Sequence, residues 1–253
     1  MTQKITLITG ATAGIGMETA RILSKNGHRL ILTGRRSDRL EKLKEELDPE
    51  GAGIYLLHFD VRSKDEVDQA LAGLPGEWKK IDVLINNAGL AAGMDLVAEA
   101  DPSDWEAMID TNVKGLLYVT QQVSRGMMER KQGHIINISS IAGKEAYPKG
   151  SVYCASKYAV NAISKALRIE LLPYNIKVST ISPGAVETEF SLVRFKGDKE
   201  KANKVYAGFV PLNAKDIAES IYFVLSRPAH VSIDDLLIMP TAQASARDFF
   251  RKE

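Results

Sequence analysis

An apolar run over residues 4–9 leads directly into Gly10-Ala11-Thr12-Ala13-Gly14-Ile15-Gly16, and a helical pattern then continues to about residue 26. No other feature constrains the chain so strongly. A strand that turns through glycines onto a helix N-terminus directs backbone N–H groups and the positive end of the helix dipole at one point, which suits a phosphate. The pattern then repeats. Apolar runs at 28–33, 53–59, 81–85, 135–138, 177–181 and 234–239 read as strands. Helical patterns lie between them, ending near 47, spanning 63–71, starting at Asp101-Pro102-Ser103, and spanning 151–172 and 215–226. Such alternation predicts an α/β fold, a doubly wound parallel sheet with helices on both faces.

At 253 residues the chain is long enough for one large domain, taken here as residues 1–253. No window approaches the ~20 apolar residues of a spanning helix, and Met1-Thr2-Gln3-Lys4 carries no signal-peptide pattern, so a cytoplasmic protein without membrane attachment is expected. Cys154 is the sole cysteine, which rules out an intrachain disulfide and suits a reducing compartment. A net charge of +1 gives no general attraction to nucleic acid, and the four histidines lack metal-ligand spacing. Neither a metal nor a nucleic-acid partner is expected; a small-molecule substrate is.

The chemistry concentrates in 137–157. Tyr153 and Lys157 are four residues apart at the start of a helical pattern, so their side chains share a face. A free phenol titrates near ~10, and an ammonium beside it favours the phenolate and lowers that value. Such a tyrosine can exchange protons with an alcohol or carbonyl oxygen. Ser140, just past the strand at 135–138, can steady the same oxygen. The same spacing also occurs on solvated helix faces, and the pair alone does not decide between these readings. The neighbouring Cys154 lacks the helix-N-terminal or histidine-rich setting of a thiolate nucleophile.

Taken together, Tyr153, Lys157, Ser140 and the glycine-rich N-terminus resemble the short-chain dehydrogenase/reductase family over essentially the whole chain. The resemblance implies a single Rossmann-like domain with a seven-stranded sheet, NADP or NAD chemistry, and a homo-oligomer, often a homotetramer. It places Gly10, Thr12, Gly14, Ile15 and Gly16 in the cofactor turn, spaced G-x-x-x-G-x-G. It puts Asp60 and Val61 at the adenine, and Asn87, Ala88 and Gly89 of Asn86-Asn87-Ala88-Gly89 under the adenosine. By the same resemblance Asn112 would bond a backbone carbonyl and hold water near the active lysine, Pro183, Gly184 and Val186 would lie by the nicotinamide, and Thr188 by a cofactor phosphate, one residue later than the commoner pattern. It also implies that Tyr153 and Lys157 bind the cofactor and that the catalytic set is Asn112, Ser140, Tyr153 and Lys157. The ribose-reading position, ~20 residues past the glycines, holds Arg35 and Arg36 and no carboxylate, which selects NADP (NADPH) over NAD. Alternatively, those arginines simply open a solvated helix.

Residues 189–207 read as a mixed loop with the profile of a lid. The stretch from Thr188 to Asp198, together with Pro228-Ala229-His230-Val231 and Met239-Pro240-Thr241, resembles the bacterial NADP-dependent 3-hydroxy acid dehydrogenases, which act on serine, allo-threonine and 3-hydroxypropionate. The expected substrate contacts are Ser140, Tyr153 and Arg194, whose guanidinium would hold the carboxylate, with Lys144 as an alternative anchor. A broader carbonyl or 3-oxoacyl reductase and an NADP-binding regulatory protein are the rival readings.

Overall fold

The computed structural model describes residues 3–51 and 53–252. Its first strand, β1 (Ile5–Ile8), is buried at all four positions. A strand covered on both faces has no solvent side and therefore shows no alternation. The chain continues through α1 (Gly14–Lys25), β2 (Arg29–Gly34), α2 (Ser37–Leu47), β3 (Ile54–His58), α3 (Lys64–Ala72) and β4 (Val83–Asn86). Next come α4 (Pro102–Ile109), α5 (Leu116–Arg130), β5 (Gly133–Ile138), α6 (Ser151–Glu170) and β6 (Ile176–Pro183). The last part holds β7 (Val186–Glu187), α7 (Glu189–Arg194), α8 (Lys199–Lys204), β8 (Leu212–Asn213), α9 (Ala214–Leu225) and β9 (Asp235–Ile238).

Seven strands pair in the order β3-β2-β1-β4-β5-β6-β9, all parallel. Thr6 of β1 sits opposite Leu30 on one side and Val83 on the other. The strand order reverses between β1 and β4, so the loops leaving their C-terminal ends diverge and open a crevice, the usual ligand position in such sheets. Neighbouring residues on a strand feed opposite cores. Leu7, Leu84 and Ile135 fill one face, which α3 and α5 cover through Val67, Leu71, Val119 and Met127. Ile8, Ile85 and Ile136 fill the other, covered by α1, α2 and α9 through Leu23, Leu40 and Ile221. Each such buried side chain contributes roughly 1.5–3 kcal/mol relative to exposure, and these two layers fix the strand ends that carry the site.

The structure departs from the sequence reading in three respects. Asp101 caps α4 as expected, accepting from the Ser103 amide at 2.9 Å. The helix then widens into a π turn over Asp110–Gly115 before continuing as α5. Gly115 lies so close to β3's outgoing loop that a Cβ would be 2.8 Å from Val61 Cγ2. Residues 189–207 are not one loop, because Thr188 and Asp198 cap the short helices α7 and α8. A two-stranded β7–β8 pairing beside them was likewise absent from the expected elements.

Candidate active site

The cleft begins at the glycine turn. Gly10 and Gly14 have φ of 68° and 52°, left-handed values that favour glycine. At Gly16 a Cβ would be 2.4 Å from the Gly10 carbonyl oxygen. α1 has no side-chain cap and no acidic residue in its first turn, so its leading N–H groups keep their capacity for an anion. Asn87 braces the turn by donating to the carbonyls of Thr9 and Gly10 at 2.9 and 3.1 Å. The amides of Asn87 and Ala88 both donate to Thr9 Oγ1 at 3.0 Å. The arrangement fits the pyrophosphate of a dinucleotide.

From this turn a cleft of about 960 Å³ runs across the C-terminal ends of β1, β4, β5 and β6. Its wall includes the expected Gly10, Thr12, Gly14, Ile15, Arg35, Arg36, Asp60, Val61, Asn87, Ala88 and Gly89 at one end. At the other it includes Ser140, Tyr153, Lys157, Pro183, Gly184, Val186, Thr188 and Arg194. Gly16 and Asn112 stand behind the wall. Asn112 ties the π turn to the residue after Gly89, accepting from the Leu90 amide at 2.9 Å and donating to the Leu90 carbonyl at 2.8 Å. It also donates to Ser156 Oγ at 3.0 Å. Arg36 donates twice to Thr12 Oγ1, at 3.2 and 2.9 Å, while Arg35 is 61% exposed with its nearest carboxylate, Asp60, at 3.7 Å.

Tyr153 and Lys157 are both buried at the start of α6. Ser140 Oγ accepts from the Ala142 amide at 3.1 Å and lies 3.4 Å from the Pro183 carbonyl. Lys157 Nζ donates to the Ile138 carbonyl at 3.0 Å and is 5.9 Å from the centre of the Tyr153 ring. Burial pushes Lys157 down to about 8. Burial also drives the Tyr153 phenol well above its ordinary value, reinforced by Tyr147 and opposed by a Ser140 hydrogen bond and the Arg194 charge. The expected lowering by Lys157 is absent because desolvation outweighs every neighbour and the ammonium is turned to a carbonyl.

Arg194, the last residue of α7, reaches back over this pair. Its guanidinium carbon is 5.6 Å from the Tyr153 ring centre and 5.7 Å from that of Tyr147. It donates to Tyr147 Oη at 3.2 Å and to the Gly93 carbonyl at 3.3 Å, and its remaining terminal nitrogen is buried without a partner. Lys144, the alternative anchor, is instead paired with Asp235 of β9 at 2.6 Å and is not part of the cleft wall. Its charge is thereby committed to the sheet edge.

Phe190, within the segment read as a lid, packs on Tyr153 with ring centres 5.7 Å apart. Two other contributors had no sequence signal. Tyr147 holds Arg194. Gln243 braces the Pro183-Gly184 turn by accepting from the Ala185 amide at 2.8 Å. Each acts through a contact distant in sequence, and no local pattern marks it.

Residues 4–198 match the family model described as short chain dehydrogenase. The chain is 49% identical over 243 residues to the NADP-dependent 3-hydroxy acid dehydrogenase YdfG of Escherichia coli K12, covering 96% of this chain and 97% of that protein. It is 42% identical over 240 residues to the serine 3-dehydrogenase of Agrobacterium fabrum, covering 95% of each. Among solved structures, the closed form of a serine dehydrogenase complexed with NADP+ superposes with a TM-score of 0.93 at 47% identity, covering 98% of this chain and 100% of that one.

Proposed function

This chain belongs to the short-chain dehydrogenase family of oxidoreductases, and we propose that within it the protein interconverts small 3-hydroxy acids and their 3-oxo acids or semialdehydes with NADP. The reading rests above all on Arg194. A half-buried guanidinium with one buried, unpartnered nitrogen, poised over Tyr153, has the charge and the planar fork that a carboxylate requires. The relatives named for 3-hydroxy acids and serine support the same substrate class.

Bound NADP supplies the hydride acceptor or donor. The glycine turn and the N-terminus of α1 hold its pyrophosphate, and Arg36 its 2′-phosphate. Asp60, Val61 and the Asn87-Ala88-Gly89 loop flank the adenosine half. Pro183, Gly184, Val186 and Thr188 flank the nicotinamide half. Arg194 holds the substrate carboxylate and fixes which carbon faces the cofactor, and Ser140 Oγ orients the hydroxyl or carbonyl oxygen. In reduction Tyr153 Oη gives its proton to that oxygen, and the buried phenol is held protonated for the task. In oxidation the alcohol's O–H proton passes to Tyr153, with the Arg194 charge and the Ser140 hydrogen bond favouring the phenolate that must first form. Asn112 keeps the π turn and the Leu90 backbone in place behind Lys157 and supports a water path for the proton.

The protein acts as a single domain over residues 1–253, in the cytoplasm, where its one buried free thiol is stable. Assembly into a homotetramer is part of this reading because the family resemblance implies it, with exposed Ile169, Leu172, Phe223 and Leu237 offering apolar surface for contacts between copies, and a sedimentation mass other than that of four chains would refute it.

Arg194→Ala tests the substrate assignment. A charged hydrogen-bonded contact is worth ~1.5–3 kcal/mol, so KM for serine or 3-hydroxypropionate rises about tenfold to a hundredfold while KM for an uncharged alcohol of similar size barely moves. Equal effects on both substrates, or none, would place the carboxylate elsewhere.

A further inference from the structure

The cofactor arginines already have an anion. Arg36 is the residue before α2 and Arg39 lies in its first turn, where the helix dipole disfavours cations. Glu189, which opens α7 from 150 residues away, places its carboxylate between them. Arg39 donates to both its oxygens at 2.8 and 2.9 Å, and Arg36 to one of them at 3.0 Å. The two guanidiniums, Arg39 first, hold the Glu189 carboxyl below the usual carboxylate range. Arg36 and Glu189 both line the cleft, beside Thr12 of the glycine turn.

We propose that Arg39 is the second arginine of the 2′-phosphate subsite and that Glu189 is the resident counter-anion of that subsite, which the 2′-phosphate must displace from the arginines. The inference rests on the NADP reading. A carboxylate held by two guanidiniums, each through a single terminal nitrogen, occupies the same kind of place as a phosphate monoester, which carries nearly two negative charges and bonds to the same donors. Two anions on one arginine pair repel each other, so Glu189 must leave when NADP binds. The 2′-hydroxyl of NAD imposes no such conflict, and a carboxylate near that position is the group that NAD-selective sites present. Glu189 therefore narrows the preference for NADP over NAD, and Arg36 with Arg39 widens it. Arg35, exposed and turned toward Asp60, stands outside the cluster.

Calorimetric titration of the full chain with NADP+ and NAD+, without substrate, tests this. Exposed ion pairs are weak, so Glu189→Gln binds NADP+ roughly threefold to tenfold tighter and NAD+ within about twofold of wild type. Arg39→Gln binds NADP+ about tenfold weaker and NAD+ as before. An unchanged NADP+ affinity in either variant, a weaker one in Glu189→Gln, or equal shifts for both cofactors would overturn the proposal. A wild-type chain that binds the two cofactors alike would remove the NADP reading itself. The two arms are independent, so a folding defect in one variant, seen in its near-ultraviolet dichroism, leaves the other decisive.

Discussion

Burial moves Tyr153 and Lys157 in opposite directions for one reason: it disfavours whichever form carries charge, the phenolate in one case and the ammonium in the other. Their spacing in the sequence shows that the two side chains share a helix face, and the structure bears this out. It says nothing of depth, and depth decides the protonation state. Tyr153 is thus a proton donor at neutral pH in the chain by itself, and its use as a base depends on charges gathered around it. Tyr153→Phe deletes only the hydroxyl. It should reduce kcat by at least a hundredfold, within the range of lost acid–base catalysis, while the NADP+ dissociation constant stays within about twofold. Near-wild-type turnover would remove Tyr153 from the mechanism.

At the scale of elements, the β1–glycine turn–α1 unit was legible because each of its parts has a local signature. The strand alternation gave the parallel sheet in the same way. The π turn was not legible, since one extra residue in a helical turn leaves the apolar spacing of α4 and α5 almost untouched. α7 and α8 were missed because six residues span fewer than two turns, too few for periodicity to be seen. α7 nevertheless carries Glu189 at the cofactor end and Arg194 at the substrate end. The π turn in turn carries Asn112 and depends on the close approach of Gly115 to Val61. Gly115→Ala forces a methyl into that contact and should cost ~1–3 kcal/mol, read as a lower urea midpoint. An unchanged midpoint would mean that Val61 yields freely and that the packing there is loose.

For the whole molecule, the reversal of strand order between β1 and β4 gathers the site at the C-terminal ends of the central strands, and the two apolar layers hold it there. Those layers also enclose His134, whose Nε2 lies 2.8 Å from Ser179 Oγ. Burial, then the nearby Lys177 and Lys4 charges, push it down to about 3. Its unfolded value is near ~6.5, so the unfolded chain binds the extra proton first and stability is lost as pH falls from about 6.5 toward 3. The loss should reach about 2 kcal/mol by pH 5 in chemical denaturation. Partly exposed His28, pushed down to about 4 by burial and by Lys4, adds to it in the same direction. His134→Gln should remove its share, and an unaltered acid slope would show that His134 does not govern it. The central claim, that the cleft joins NADP to a small 3-hydroxy acid, is tested most directly by the reduction of NADP+ and of NAD+ by the purified full chain. The assay sets serine, allo-threonine and 3-hydroxypropionate against uncharged alcohols of similar size. The account predicts the highest kcat/KM for an acid with NADP+, lower by about tenfold or more with NAD+ and with every uncharged alcohol. Equal rates for charged and uncharged alcohols, or for the two cofactors, would contradict it.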